Sequence, residues 1–262
     1  MIPRILHRIW FGSKPPNDVY LASWRTHCPD WSIRTWTDAD VAQFDSRYLR
    51  EALAAQKWAF ASDYVRLAAL YREGGFYLDT DVELTSLVEP YRANGFCVGM
   101  TRRQFPQTAV IGAEPKNAII GEILATYEGA RFDFGEGVYD EHPINHRFRD
   151  VLSRHGVDFA SLDCEVELNP EPGIRLYPYS LFCRRVEGKQ NFAIHHAEGT
   201  WQDPWKRMNV LRLPLGWRFI RMKHRKAFSE TAPYNLLRDE HKVASFRVRR
   251  FAFVLAHQKE SL

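Results

Sequence analysis

The sequence predicts an α/β fold, with a sheet flanked by helices and a basic extension at the C-terminus. The first forty residues alternate between strand-like and helix-like patterns, which favours an α/β sheet. The chain has 262 residues and a net charge of +4, but residues 204–262 carry fourteen Lys or Arg against four Asp or Glu. We therefore expect one main domain over residues 1–215 and a basic, helical extension over residues 216–262 packed on it.

Turn-forming and capping residues bound the N-terminal elements. A first apolar run ends at Gly12 and at the Pro15-Pro16 pair, which a strand does not continue through. Asn17 and Asp38 are residues of the type that caps a helix. We expect, in order, a strand over 5–11, a helix over 18–27, a strand over 32–37 and a helix that begins near 38.

The clearest local prediction is a helix, a Gly-Gly pair and a strand in succession. Helix-forming residues over 59–73 carry an apolar stripe, and the Gly-Gly pair that follows is a common helix ending. Residues 76–82 then alternate as a strand, with Tyr77, Asp79 and Asp81 on one side. Later elements are expected as strands over 96–101, 108–112 and 192–196, helices over 116–128 and 143–155, and a loop over 129–142.

Composition and missing motifs exclude several classes of protein. No apolar run approaches the ~18 residues of a transmembrane helix, and the N-terminus lacks the apolar stretch of a signal peptide. The four cysteines include no C-x-x-C pair, so we expect reduced thiols and a cytoplasmic location. Phosphate-binding-loop, dinucleotide-binding and nucleophile-elbow motifs are missing, which removes support for kinases, dehydrogenases and serine hydrolases.

Asp79 and Asp81 form a D-x-D pair at the end of a predicted strand, where open α/β sheets place their ligand sites. Two carboxylates suit Mg²⁺ or Mn²⁺, and such an ion bridges to phosphate oxygens. Two residues of extended strand span about 6.6 Å, so we expect one carboxylate on the ion and the other on water or a ligand hydroxyl. A D-x-D pair is also common on solvated loops; the strand and Gly-Gly context favours the metal site.

Asp63 and Arg66 stand three residues apart on the helix that precedes the D-x-D strand. One interpretation is a surface ion pair worth about 0.2–0.5 kcal/mol. The other is a polar clamp on a sugar, in which the carboxylate accepts from hydroxyls and the guanidinium donates to them. Beside the D-x-D strand we favour the clamp.

His195 and two tryptophans are further candidates. Alternation over 192–196 places His196 with the apolar residues, in a structural role, and leaves His195 as a nitrogen ligand for the acidic site. Trp10 ends the first strand, where it would stack on a nucleobase or belong to the core. Trp201 would close over a bound phosphate or sugar, or again belong to the core.

Three segments of the sequence resemble the family-32 glycosyltransferases: residues 2–12 (IPRILHRIWFG), 61–66 (ASDYVR) and 70–82 (LYREGGFYLDTDV). That family includes yeast initiating mannosyltransferases and bacterial capsular-polysaccharide transferases, with the clostridial glucosylating toxins as distant relatives. The resemblance implies a GT-A fold, a nucleotide-binding mixed sheet with the D-x-D pair at the donor site. Residues 129–143 and the basic C-terminal section match no pattern of the family.

The resemblance also implies a role for each candidate residue. In the donor site, Trp10 would stack on the base, and Asp63 and Arg66 would hold the sugar hydroxyls. Asp79 would contact the ribose or the sugar, and Thr200 and Trp201 would contact the diphosphate. Of these, the catalytic roles fall on Asp63, Arg66, Asp79 and Trp201. Metal-binding roles fall on Asp81 and His195, with Mn²⁺ or Mg²⁺ as the cofactor.

With these roles, the resemblance implies a metal-dependent, retaining hexosyltransferase. It would move a hexose from a UDP- or GDP-sugar to a glycan or lipid-linked acceptor, as in polysaccharide or glycoconjugate synthesis. Two alternatives stay open: a non-catalytic nucleotide-sugar-binding module, and a phosphatase or phosphotransferase with Asp79 as nucleophile. No nucleic-acid partner is expected.

The basic extension suggests a second surface. Its residues Ala244, Val248, Phe251, Ala252 and Leu255 would share one face of a helix, flanked by arginines. Such a face would either seat the enzyme peripherally on the inner, anionic face of a membrane or pack on the main domain.

Overall fold

The computed structural model describes residues 1–13, 18–135 and 138–197, together with the backbone of four strands between residues 205 and 258. The chain divides into two compact units, residues 1–198 and residues 199–262. In the described part of the chain, no helix is long and apolar enough to cross a membrane.

One mixed sheet organises the first unit. Among its described residues the strands are β1 (Ile5–Ile9), β2 (Ser32–Trp36), β3 (Gly75–Leu78), β4 (Val82–Leu84), β5 (Phe96–Met100), β6 (Pro106–Ala113), β7 (Asp133–Gly135), β8 (Val138–Tyr139), β9 (Ile174–Tyr177) and β10 (Ala193–His195). Six of them form the sheet in the order β2-β1-β3-β6-β5-β9, in which β6 runs antiparallel to both neighbours. The pairs β4–β10 and β7–β8 are separate and antiparallel.

Helices cover both faces of this sheet. They are α1 (Leu21–His27), α2 (Arg47–Ala54), α3 (Trp58–Glu73), α4 (Ala118–Ala125), α5 (Ile144–Arg154) and the short α6 (Tyr179–Phe182), with 3-10 helices at Asp38–Gln43 and Glu89–Ala93. Helices α2 to α5 contribute Tyr48, Val65, Ile120 and Phe148 to one apolar cluster, and α1 contributes Trp24 to a second. Each cluster also contains strand residues. The predicted α/β sheet flanked by helices is therefore confirmed.

The predicted continuous strand over 76–82 is wrong. Strand β3 ends at Leu78, and the chain then turns, with the amide of Val82 donating to the carbonyl of Asp79 at 3.0 Å. Strand β4 leaves the large sheet and pairs with β10. Phe76 and Leu78 before the turn and Val82 after it all belong to the same apolar cluster, so the alternation of the sequence continues across the turn and hides it.

Several other boundaries differ from the sequence prediction. The first helix begins at Leu21 rather than at 18, and its expected cap Asn17 lies outside the described residues. Asp38 is the first residue of a 3-10 helix rather than its cap, because Thr37 takes the cap position and its amide donates to the carboxylate of Asp40. The expected loop over 129–142 contains the hairpin β7–β8, whose outer residues 136–137 are outside the described part.

Strands also replace the helix predicted in the second unit. Its described backbone forms β11 (Trp205–Arg212), β12 (Trp217–His224), β13 (Glu240–Val248) and β14 (Phe251–Gln258), an antiparallel sheet in the order β11-β12-β14-β13. This segment is rich in Val, Phe and Trp, which favour strands, and the expected helical stripe ignored that preference. The expected boundary after residue 215 falls between β11 and β12, which pair along their length. The packing of this extension on the main domain stays a prediction.

Candidate functional site

The candidate site lies at the sheet edge where β1, β2, β3, β5 and β9 reach their carboxyl ends and β6 begins. Trp10 follows β1 there, and the Asp79–Asp81 turn follows β3. Open α/β sheets bind their ligands beyond the carboxyl ends of their strands. Strand β10 brings a further residue to this edge, because its pairing with β4 sets His195 opposite Val82, the residue after Asp81.

Asp79, Asp81 and His195 form a cluster with the geometry of a metal site. One ligand atom from each residue lies within 4.8 Å of the other two. The Nε2 atom of His195 is 3.3 Å from Oδ1 of Asp81 and 3.8 Å from Oδ2 of Asp79. All three residues are half-buried. An octahedral ion with bonds of about 2.1 Å separates neighbouring ligand atoms by about 3 Å and opposite ones by about 4.2 Å, so the donor set fits a divalent ion.

The turn removes the geometric restriction expected for a straight strand. Because Asp79 and Asp81 flank a turn rather than alternate along β3, their carboxylates converge with the imidazole of His195. Both carboxylates are therefore close enough to approach one ion, and the division between a direct and an indirect ligand stays a prediction. Two carboxylates and one imidazole suit Mn²⁺ better than Mg²⁺, because nitrogen ligands favour transition metals.

Charge and hydrogen bonding act on His195 from two sides. Burial lowers the pKa of His195, but the hydrogen bond to Asp81 and the charge of Asp79 raise it above the ordinary value. On the other side of the ring, Nδ1 lies 2.8 Å from the side-chain amide nitrogen of Gln107. That donor opposes protonation of the ring, because it occupies the lone pair of Nδ1. The carboxylate side therefore favours a positive charge at Nε2, which either a proton or a metal ion supplies.

Asp63 and Arg66 form a buried pair beside this cluster. Their side chains are 12% and 7% exposed, and Nη2 of Arg66 is 2.8 Å from Oδ1 of Asp63. The surface ion pair considered from the sequence is therefore wrong. Nη1 of Arg66 is also 3.4 Å from Oδ1 of Asp79, so one guanidinium joins the carboxylate of helix α3 to the carboxylate of the turn.

The three guanidinium nitrogens of Arg66 all have protein partners. Nε donates to the carbonyl of Ser62, Nη1 to the carbonyl of Thr108 at 2.9 Å, and Nη2 to the hydroxyl of Ser62. The ring of Tyr77 lies 4.5 Å from the guanidinium carbon, and its hydroxyl donates to Oδ1 of Asp79 at 2.6 Å. Arg66 therefore orients two carboxylates, those of Asp63 and Asp79.

Burial and charge have opposite effects on the pair. Burial raises the pKa of Asp63 to about 6, and the charge of Arg66 offsets only part of that increase. For Arg66 burial lowers the pKa, but Tyr77, Asp79 and Asp63 together raise it above its ordinary value. Arg66 is charged at every physiological pH, whereas burial destabilises the ionised form of Asp63.

The structure describes some of the other predicted site residues, and others lie outside its described part. Trp10 is half-buried at the end of β1, and its amide donates to the carbonyl of Trp36. Thr200 and Trp201 lie outside the described residues. His196 is not in the apolar environment expected from alternation: its ring stacks on Tyr20 and lies 3.0 Å from the carboxylate of Glu83. The reason is that β10 ends at His195, so the alternation no longer applies to the next residue.

Two residues of the site were not identified as functional from the sequence. Tyr77 was placed on the same side as the two aspartates by strand alternation, and that signal was sufficient to find it. Gln107 carries no comparable signal, because only the pairing of β6 with β3 and of β10 with β4 brings it to His195.

Comparison with known proteins shows that this region is similar to one protein family. Residues 17–94 match the family model described as the glycosyltransferase sugar-binding region containing the DXD motif. Among solved structures, the PaToxG glycosyltransferase is similar at 18% sequence identity and a TM-score of 0.46, over 58% of this chain and 69% of that chain. No curated protein matches the sequence significantly.

The matched residues contain helix α3, the Gly-Gly pair and the D-x-D turn, and hence all three carboxylates of the site, those of Asp63, Asp79 and Asp81. Over residues 17–94 the chain is similar to the glycosyltransferases whose sugar-binding region contains a DXD motif.

Proposed function

We propose that the protein is a metal-dependent, retaining hexosyltransferase of the GT-A type. It would transfer a hexose from a UDP- or GDP-sugar to a glycan or lipid-linked acceptor in polysaccharide or glycoconjugate synthesis. The observation that carries the proposal is that Arg66 contacts both Asp63 and Asp79 and so links two sites. A three-ligand cluster that fits a divalent ion lies beside a buried carboxylate that fits sugar hydroxyls.

Each group has a distinct role in this proposal. Asp81 and His195 would hold a divalent ion, preferably Mn²⁺, whose chemistry is to neutralise the charge that develops on the leaving diphosphate. Asp63 accepts hydrogen bonds from hydroxyls of the donor sugar, and Asp79 accepts from a sugar or ribose hydroxyl. Arg66 orients both carboxylates. Trp10 would stack on the base, and Thr200 and Trp201 would contact the diphosphate.

The transfer also requires a group that accepts the proton of the acceptor. No carboxylate is assigned as a general base, because Asp63 and Asp79 are both engaged by Arg66. In a retaining transfer the departing phosphate oxygen accepts the acceptor's proton on the same face of the sugar. The protein's contribution is then to orient the donor and exclude water from the reacting carbon.

Donor hydrolysis with Mn²⁺ across a panel of UDP- and GDP-sugars tests the proposal. We expect one donor to be hydrolysed by the wild type and Asp81→Asn to lower kcat/KM by about 100-fold, as for the loss of a transition-state contact. Asp158→Asn, which changes an exposed carboxylate away from the sheet edge, is the matched control and should keep full activity. Equal rates for Asp81→Asn and wild type would contradict the metal assignment.

Two further measurements separate the remaining parts of the proposal. The anomeric proton coupling of the transfer product reports stereochemistry, and a product of inverted configuration contradicts the retaining mechanism. Binding of a nucleotide sugar without hydrolysis or transfer, whichever acceptor is offered, would instead support the non-catalytic module.

The acceptor and the cellular location form a separate part of the proposal. Residues 204–262 have a net charge of +10, which supports peripheral contact of a cytoplasmic enzyme with the inner, anionic face of a membrane that carries a lipid-linked acceptor. The full chain should co-sediment with phosphatidylserine vesicles at low salt and be released at high salt. Equal sedimentation with neutral phosphatidylcholine vesicles would contradict this contact.

A further inference from the structure

A buried glutamine lies behind the histidine of the candidate metal site. Gln107, near the start of β6, is 4% exposed. Its amide nitrogen is 2.8 Å from Nδ1 of His195, the ring nitrogen that points away from the aspartates. A contact of this kind fixes the orientation of an imidazole, and groups at this position influence what the ring binds.

The orientation of the Gln107 amide is determined by the backbone. Its oxygen Oε1 accepts a hydrogen bond from the amide of Ala109 at 2.9 Å, so the nitrogen of the side chain must face His195. A side-chain amide nitrogen only donates, and Nδ1 of His195 is therefore an acceptor in this arrangement. A neutral imidazole that accepts at Nδ1 carries its hydrogen on Nε2.

That arrangement makes Nε2 a donor toward the aspartates. Nε2 lies 3.3 Å from a carboxylate oxygen of Asp81 and 3.8 Å from one of Asp79. A histidine that ligates a metal through Nε2 must instead present a lone pair there and carry its hydrogen on Nδ1. The Nδ1 hydrogen then needs an acceptor, whereas Gln107 presents a donor.

We propose that Gln107 is a positioning residue that controls access of a cation to Nε2 of His195. In this arrangement the amide nitrogen of Gln107 makes Nε2 of His195 a donor toward Asp79 and Asp81. Loading of the site requires the amide to turn by about half a rotation, so that Oε1 accepts from Nδ1. The amide of Ala109 then loses its buried acceptor, and this loss lowers the affinity for the ion.

Gln107→Glu tests this inference, which rests on the proposed metal site. A carboxylate accepts from Ala109 and from Nδ1 of His195 at the same time, so loading no longer costs a buried hydrogen bond. We expect Mn²⁺ to bind at least tenfold more tightly, within the roughly 10–100-fold range of such contacts. Affinity is measured by calorimetry or by electron paramagnetic resonance of free Mn²⁺, without donor or acceptor.

Gln104→Glu is the matched control for the added charge. Gln104 lies three residues earlier, and its side chain donates to the carbonyl of Leu162 instead of contacting His195. It should change Mn²⁺ affinity by no more than a few-fold. Equal tightening by Gln104→Glu and Gln107→Glu would overturn the inference, as would unchanged affinity in Gln107→Glu. If wild type binds no Mn²⁺ at all, the proposed metal site itself fails.

A second measurement uses the wild type and does not depend on any variant folding. Titration with diamagnetic Mg²⁺ should shift the backbone amide proton of Ala109 upfield and speed its exchange with solvent, because that proton loses its acceptor. A purely structural role for Gln107 predicts no such change. An Ala109 resonance that stays unmoved while Mg²⁺ saturates the site would overturn the inference.

Discussion

Asp63→Asn is expected to make the protein more stable while it impairs donor hydrolysis. The Asp63 side chain is 12% exposed, and burial raises its pKa to about 6 from the model-peptide value of 3.8 in spite of the charge of Arg66. One pKa unit corresponds to about 1.4 kcal/mol. The difference of about 2 therefore means that ionised Asp63 lowers the free energy of unfolding by about 3 kcal/mol at neutral pH.

The pH dependence of the gain follows from the direction of the shift. Below pH 3.8 Asp63 is protonated in both the folded and the unfolded chain, so it has no effect on stability. Between pH 3.8 and about 6 the unfolded chain releases its proton first, and the stability of the wild type falls as the pH rises. Asparagine carries no charge, so the gain of Asp63→Asn should be near zero at pH 4 and reach about 3 kcal/mol above pH 6.5.

Urea unfolding followed by far-UV circular dichroism at pH 4.5, 5.5, 6.5 and 7.5 measures this gain. Asp158→Asn is a suitable control, because hydrogen bonds from Ser161 and Ala160 lower the pKa of Asp158. That variant should be no more stable than wild type at any of these pH values. A gain for Asp63→Asn that is absent at pH 7.5, or equal at all four pH values, would refute the reasoning.

The same substitution should lower the activity. A hydrogen bond from a sugar hydroxyl to a carboxylate is worth about 1.5–3 kcal/mol, so kcat/KM for donor hydrolysis should fall by about 10- to 150-fold. A stable and inactive Asp63→Asn variant would show that the buried charge is kept for the ligand. A variant that gains stability and keeps its activity would place the sugar contact elsewhere.

Two other side chains give predictions of smaller effect. Tyr77→Phe removes the hydroxyl that donates to Asp79 at 2.6 Å, and it should weaken donor binding about tenfold in KM with a loss of about 1 kcal/mol in urea unfolding; an unchanged KM would contradict this role. The carboxylate of Glu51 accepts from the amides of Phe132 and Asp133, and these bonds lower its pKa to about 2. The stabilising contribution of this carboxylate is complete above pH 4.5 and is lost as the pH falls toward 2. Glu51→Gln should therefore lower the free energy of unfolding by about 1 kcal/mol at pH 7 and by less at pH 3. An equal loss at both pH values would contradict this.

The local elements of the site could be predicted from the sequence, whereas the long-range contacts between them could not. Helix α3, the Gly-Gly ending and strand β3 follow from helix propensity, glycine and alternation, all of which are local. The turn at Asp79 was not predicted, because Val82 has the parity that a straight strand would give it. Its cause is the pairing of β4 with β10, which lies more than 100 residues further along the chain.

Long-range strand pairing also explains why His195 had only an indirect signal in the sequence and Gln107 had none. His195 was selected because an acidic site lacked a nitrogen ligand, and the pairing of β10 with β4 brings it there. Gln107 has no such argument in its favour, since an isolated glutamine in a buried strand has no characteristic spacing. The helix expected in the second unit rests on its apolar stripe and leaves out the strand preference of its Val and Phe residues, and the observed strands pair with one another along their length.

The spacing between Asp63 and Asp79 is set by the geometry of the two elements that join them. Helix α3 runs ten residues from Asp63 to Glu73, about 15 Å at 1.5 Å per residue, and the chain returns over four residues from Gly75 to Asp79, about 13 Å at 3.3 Å per residue. The two lengths nearly cancel, so the carboxylates arrive at the same height and one guanidinium spans them.

The reversal between these elements requires glycine. Gly75 has φ of +102°, and a Cβ there would lie 2.6 Å from the carbonyl oxygen of Ile5 in the neighbouring strand. A side chain at this position would push β3 away from β1 and displace the turn that carries Asp79. The Gly-Gly pair therefore belongs to the site as much as the aspartates do, although it lies a full strand length away, at the opposite edge of the sheet.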